Sequence, residues 1–249
     1  MSQVDRSFIG EGVIYARAYQ SQDPLIDIGN ADSFSLAFTS DRKTLPNYRG
    51  GGGNRNVNEK ITGVTASIGM YDITAENLAR VTRSTAAAIP TDAIVEEPQT
   101  CGGVIGELVP FKYLPNLVET ITVVTAADVA LVAGTDYRAT AHGLIVLSAA
   151  VTAAGIKVSY TPRAATAIQL LNGSQVELEL YISGLNDAQS GEPFSLRPRR
   201  VKFGLLSALS VFGTEYLKLE GSAELLADDM VSDSGISKFC EMQLVDKTA

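Results

Sequence analysis

The chain has no tryptophan, one histidine and two cysteines in 249 residues, and each shortage closes off a class of function. Two cysteines, Cys101 and Cys240, cannot build a disulfide framework for a chain of this length, so both read as structural thiols of a protein folded in a reducing cytoplasm. The single histidine, His142 in "ATAHGLI", excludes a histidine-rich metal cage and leaves any Ser-His-Asp triad resting on one residue. Beside Gly143 it reads as part of a turn. Without tryptophan, a carboxylate-based glycosidase would lack the aromatic platforms that normally line its cleft. Neither a phosphate-binding lysine motif nor G-x-S-x-G occurs, and the four glycines of "YRGGGGNRN" have no Lys-Ser/Thr after them.

Long apolar runs are missing too. "MSQVDRSFIG" has no basic segment followed by an apolar one, and no stretch reaches the roughly 18 apolar residues of a spanning helix. The expectation is a protein neither exported through a signal peptide nor embedded in a membrane. Positive charge is scarce: 20 Lys and Arg stand against 28 Asp and Glu, a net −8. A protein that grips phosphate backbones needs a dense cationic stripe, so repulsion from DNA is the default. The cluster "RPRRVK" from Arg197 to Lys202 reads as a charged strand entrance or an intersubunit ion pair. The acidic pairs Glu96-Glu97, Glu177 with Glu179, and Asp228-Asp229 read as solvated surface, with Asp228-Asp229 the one place for a divalent cation. The inventory gives no catalytic set, no cofactor and no metal.

What the chain does have is period-two alternation, the mark of strands with one buried face. In "DSFSLAFTS", Phe34, Leu36 and Phe38 oppose Ser33, Ser35, Ala37 and Thr39. In "ITGVTASIGMYD", Val64, Ala66, Ile68 and Met70 oppose Thr65, Ser67 and Gly69. "QVELELYIS" sets Val176, Leu178, Leu180 and Ile182 against Glu177, Glu179, Tyr181 and Ser183. "EYLKLEGSAELL" and "ISKFCEMQL" continue the pattern near the C-terminus. One helix is expected at "TAENLARVTRS", capped by Thr74, with Glu76 at its positive end and Leu78 and Val81 docking it. Asn172-Gly173 reads as a type I′ hairpin turn rather than as part of a glycosylation sequon. Residues 117–162 differ in texture, being poor in charge, rich in Ala, Val and Thr, and punctuated by Gly134, Gly143 and Gly155. They read as a small β module inserted into a host formed by residues 1–116 and 163–249.

The ordered parts of "IGNADSFSLAFTSDRKTLPNYRGGGGNRN", "KITGVTASIGMYDITAENLARVT" and "EPFSLRPRRVKFGLLSALSVFGTEYLKLEGSAELLADDM" resemble the major tail tube proteins of long-tailed, siphovirus-like bacteriophages. The inserted block departs from the minimal pattern. The resemblance implies a mainly β fold, a sandwich with one flanking short helix, whose copies form rings, usually hexameric, stacked into a hollow tube for genome delivery. It implies a virion protein, assembled in the host cytoplasm, that partners itself, tape-measure and tail-end proteins, while DNA passes through without specific binding. The tail would be flexible and non-contractile, and the inserted module would decorate the tube exterior or else bridge adjacent subunits.

Under that reading, residues 41–58 form a mobile loop that orders when rings stack. Arg42, Lys43, Arg49 and Arg55 would meet acidic groups of the next ring, Tyr48 would supply apolar contact, and Gly50, Gly51, Gly52 and Gly53 would give the loop its freedom. Candidates for the channel wall are Ser33, Ser35, Thr65, Ser67, Glu177 and Glu179. The alternative is a β-sandwich capsid-decoration or adhesin-type binding protein, which shares the strand content without the helix after the second strand.

Overall fold

The computed structural model describes residues 6–245. In chain order its strands are β1 (Gly10–Ala18), β2 (Ile26–Asp27), β3 (Ala31–Pro46), β4 (Asn54–Met70), β5 (Thr85–Ala88), β6 (Ile94–Gln99), β7 (Leu108–Pro110), β8 (Thr122–Thr125), β9 (Tyr137–Thr140), β10 (Gly143–Val146), β11 (Ile156–Tyr160), β12 (Thr166–Gln169), β13 (Glu177–Asn186), β14 (Glu192–Pro198), β15 (Val201–Phe203), β16 (Leu219–Leu225) and β17 (Cys240–Leu244). The one α-helix among the described residues, α1 (Ala75–Thr82), follows β4. The protein is therefore mainly β, and every strand pair with a defined register is antiparallel. It divides into two compact units: one built from the chain up to Thr85 and from Gln169 onward, the other from residues 86–168.

The first unit holds a nine-stranded sheet that forks at β13. β1 runs along one edge of β13, while the other edge pairs β15 at Glu177 and Leu178 and β14 from Ile182 to Asn186. β17 continues from β14, whereas β16, β4 and β3 continue from β15. The break between β14 and β15 falls at Arg199 and Arg200, so this bend is the corner where one sheet becomes two layers. Ile14, Ala16, Leu180 and Ile182 are buried in one branch, and Val64, Ala66, Ile68, Met70, Ala223 and Leu225 in the other. The expected alternation holds on β4 from Val64 to Ile68 and on β16 with Leu219, Gly221, Ala223 and Leu225 inward; Gly69, expected outward, is buried beneath the Asp32 and Lys218 side chains, and Leu217, expected inward, lies before β16 and is half-buried.

The helix forms as its sequence indicates. Thr74 Oγ1 accepts from Asn77 N at 3.1 Å, satisfying one of the amides that a helix start leaves open. Arg83 closes the helix in the left-handed region. Leu78 and Val81 are buried, and Val81 lies where a Cβ on Gly221 of β16 would come within 3.3 Å of it. The glycine lets the helix sit close to the sheet.

Three sequence readings need correction. Asn172-Gly173 is no hairpin turn: the positive φ falls on Leu171, and Asn172 Oδ1 accepts from Thr85 N and Oγ1. Gly173 suits this place because a Cβ there would lie 3.0 Å from the carbonyl oxygens of Arg83 and Ser84, a tight contact that the backbone would have to relieve. β17 spans only five residues, all partly or fully exposed, because its pairing begins at Cys240, and Ile236 stays outside the ladder. Phe38, expected inward, is 65% exposed, since β3 has left the core by that point.

The second unit is larger than the block read from residues 117–162. Its two three-stranded sheets have the orders β7-β10-β9 and β6-β11-β8, so partners of β10 and β11 come from upstream of Leu117. The stretch "IVEEPQTCGGVIGELVP" carries too little alternation to show this. Val109, Val123, Leu144, Val146, Ile156 and Val158 form its core, joined by Phe111 and Tyr160, whose rings lie 4.8 Å apart. Burial, reinforced by the Glu97 carboxylate, pushes the Tyr160 hydroxyl up to about 12. His142 occupies the exposed turn between β9 and β10.

A unit with its own sheets and core should fold when excised. Residues 86–168 expressed alone are expected to melt cooperatively, and Leu144→Ala, at a fully buried site, to cost about 2–5 kcal/mol. Circular dichroism and urea titration check both; a non-cooperative fragment would contradict this division of the chain.

Candidate functional site

β3 and β4 pair for far longer than the core beneath them lasts. Their ladder runs from Ala31↔Met70 to Pro46↔Asn54, yet the last buried residue is Val64, and almost everything in residues 37–62 is exposed on both faces. The register slips at Thr39/Ser40, where the ribbon leaves the body, as β-bulges do when a strand must bend or twist away. Residues 41–58 are thus mostly strand, which corrects the loop expectation. Arg42 and Lys43 lie on β3 and Arg55 on β4, because Asp41↔Lys60, Arg42↔Glu59 and Lys43↔Asn58 are ladder partners.

Only residues 47–53 form the tip. Asn47 N donates to Gly53 O at 2.9 Å, Asn47 Nδ2 to Gly50 O at 2.8 Å, and Arg49 N to Asn47 Oδ1 at 3.0 Å. Gly50, Gly51, Gly52 and Gly53 have φ values of 88°, 87°, 71° and 76°. A Cβ at any of them would meet nothing within 4 Å. The run of glycines therefore answers to backbone conformation and not to space, since each other L-residue in this region costs about 1–2 kcal/mol.

The ribbon's side chains are unusual for a solvated hairpin. Phe38, Leu45, Tyr48, Val57 and Ile61 are exposed, Tyr48 to 84%. From Ser40 to Lys60 there are five cations, Arg42, Lys43, Arg49, Arg55 and Lys60, against two anions, Asp41 and Glu59. The arm therefore carries +3 in a chain of net −8. Sequence reading finds Arg42, Lys43, Tyr48, Arg49 and Arg55 but misses Phe38, Val57, Lys60 and Ile61, whose alternation looks like ordinary strand burial.

The second feature is the sheet face opposite the core. Register places Ser35, Ser67 and Ser222 in one row, and Ala37, Thr65, Glu224, Lys202 and Glu177 in the next. Ser33 pairs with Gly69 two positions away, and Glu179 follows Glu177 by two along β13. All six wall candidates thus share one face of one sheet, with Ser222 and Glu224 added to them. Ser33, Ser35, Thr65 and Ser67 are exposed.

Glu177 and Glu179 behave differently from free surface acids. Glu179 is 9% exposed, held between Arg17 and Arg197, whose Nε atoms donate at 2.8 and 2.7 Å. Glu177 accepts from Arg200 Nε at 2.7 Å and lies 3.6 Å from Lys202 Nζ, and Arg199 binds Glu241 at 2.8 Å. The "RPRRVK" cations are therefore paired within the chain, at the corner of the fold. Asp228 takes a hydrogen bond from the Tyr19 hydroxyl at 2.6 Å, and among the described residues no three His, Cys, Asp or Glu side chains are grouped as metal ligands.

The Arg200 hydrogen bond holds the Glu177 carboxyl below its ordinary range. A depressed carboxylate contributes stability that is full above its unfolded value and is lost as pH falls through the folded one. The first unit is therefore expected to lose stability in acid, beginning below the ordinary glutamate value of 4.5. Glu177→Gln should flatten that limb. Glu179→Ala, which leaves the half-buried Arg17 and the more exposed Arg197 without their shared acceptor, should cost about 1–3 kcal/mol at neutral pH. Chemical denaturation across pH measures both.

No curated protein matches the chain. A family model described as Protein of unknown function UCP028589 matches residues 7–243, which spans both units and the whole ribbon, and the chain belongs to that family.

Proposed function

We propose that this protein is a structural subunit whose identical copies close into rings and stack into a hollow tube, a conduit of the kind formed by the tail tube proteins of long-tailed bacteriophages. The observation that supports this best is the ribbon of residues 37–62. A two-stranded hairpin is marginal in water unless something covers a face, and this one exposes five large apolar side chains. Its outer edge, along β3, has no partner strand in the described sheet. Unpaired edges invite strand addition, and a closed ring of copies turns that tendency into assembly.

The serine-rich sheet face suits a channel wall. DNA held by free Lys or Arg gains counterion release for each neutralised phosphate and would be retarded. Here Arg17, Arg197, Arg200 and Lys202 are tied to Glu177 and Glu179, so their charge is already balanced. Glu177 and Glu179 then serve the wall by pairing cations, a structural role, so their replacement by Lys would damage the fold as well as the surface.

Purified protein viewed by negative-stain microscopy is expected to show rings or hollow filaments; a monodisperse monomer or trimer under all conditions would return it to the decoration or adhesin class. Deleting Gly50, Gly51, Gly52 and Gly53 should leave a folded subunit that polymerises poorly. Ser35→Lys/Ser67→Lys/Ser222→Lys tubes should retain DNA in a salt-dependent way and wild-type tubes should not; equal, salt-insensitive behaviour would place this face elsewhere.

A further inference from the structure

Asn172 is the one asparagine of the chain that precedes a glycine. Asparagine is chemically labile, and with no Cβ on the next residue the main-chain nitrogen meets little steric resistance on its way to the carboxamide. The nitrogen of Gly173 can attack Cγ of Asn172 and close a cyclic imide. The N–Cγ bond forms, the amide proton passes to water, the Cγ–Nδ2 bond breaks, and Nδ2 takes up a proton and leaves as ammonia. Water then opens the ring at either carbonyl, leaving aspartate or isoaspartate at position 172. Asn172 is exposed and Gly173 half-buried, so water has access.

The surroundings restrain both reacting groups. Asn172 Oδ1 accepts from Thr85 N at 3.2 Å and from Thr85 Oγ1 at 2.9 Å, which fixes the carboxamide. Gly173 N donates to Arg83 O at 2.7 Å, so the proton that the reaction must remove is engaged and the amide plane is pinned. Leu171 N donates to Thr82 O at 3.3 Å. Residues 171–173 thus satisfy carbonyls that the end of α1 leaves open. The docking is held against strain, because Leu171 sits at φ 64°, a region that bulky L-residues rarely enter. Once released, Leu171 relaxes to ordinary backbone, which favours opening.

We infer that Asn172 is a site of self-deamidation that the folded chain keeps silent, and that it reacts when residues 171–173 come off the end of α1. The inference is independent of the tube reading. The glycine that the close approach to Arg83 and Ser84 favours is also the residue that makes Asn172 labile, and the bonds to Thr85 and Arg83 offset that lability. Isoaspartate carries the main chain through the side-chain carbon and lengthens it, so residues 172 and 173 can no longer reach Thr85 and Arg83 together. An opening that leads to isoaspartate is therefore permanent.

The test incubates the full chain at mildly alkaline pH and follows Asn172 by peptide mass spectrometry with detection of isoaspartate. Folded wild type is expected to react far more slowly than the same chain unfolded in urea. Thr85→Val, which removes the hydroxyl donor, should speed the reaction about two- to tenfold, the factor by which one lost hydrogen bond shifts an opening equilibrium. Thr85→Ser, which keeps the hydroxyl, should react as wild type does. Ile182→Val, buried in the branch formed by β1 and β13, should leave the rate unchanged. Folded wild type reacting as fast as the unfolded chain, or Thr85→Val reacting no faster than wild type, would overturn the inference. Equal acceleration by Ile182→Val would overturn it too, by assigning the opening to global unfolding.

Discussion

A β-ladder needs more than its own hydrogen bonds: at least one face must be covered, and the edges must be paired or protected. The first unit meets this requirement along β4 only as far as Val64. Beyond that point β3 and β4 stay paired for many residues with apolar side chains on view and an edge open. On the proposed reading, that remaining surface is covered by a second copy. The short bulge at Thr39/Ser40 and the left-handed glycine tip shape the ribbon into a defined projection.

Charge is distributed with the same division of labour. In the body, arginines at the fold's corner are satisfied by Glu177, Glu179 and Glu241, so they steady the bend between β14 and β15 without offering a cationic surface. On the arm, Arg49 and Arg55 have no carboxylate within ion-pair distance among the described residues, and Lys43 lies 3.9 Å from an exposed Asp41. Unpaired exposed charge is weak within a solvated subunit but strong in choosing a partner and its orientation.

Much of this is legible in the sequence, and the failures share a cause. β4, β16 and α1 are readable because their alternation or capping is set by one-sided burial and one side-chain bond, both local signals. Phe38 is misplaced because a strand pattern states which residues share a face and says nothing about where the covering layer stops. Glu179 looks like a surface acid because its two guanidinium partners arrive from Arg17 and Arg197, far away in the chain. The second unit is cut short for the same reason: β6 and β7 become strands through pairing with β11 and β10, and their own composition barely shows it.

Residues 37–62 are proposed to lack a covering partner in one copy and to gain it from another. Amide hydrogen exchange on the free and the assembled protein addresses this directly. Fast exchange is expected along the arm in the free protein, beside protected amides around Val64 and Leu180, with strong protection of the arm after assembly. An arm already as protected as the core in the isolated subunit, or one whose exchange is unchanged in assembled material, would contradict it.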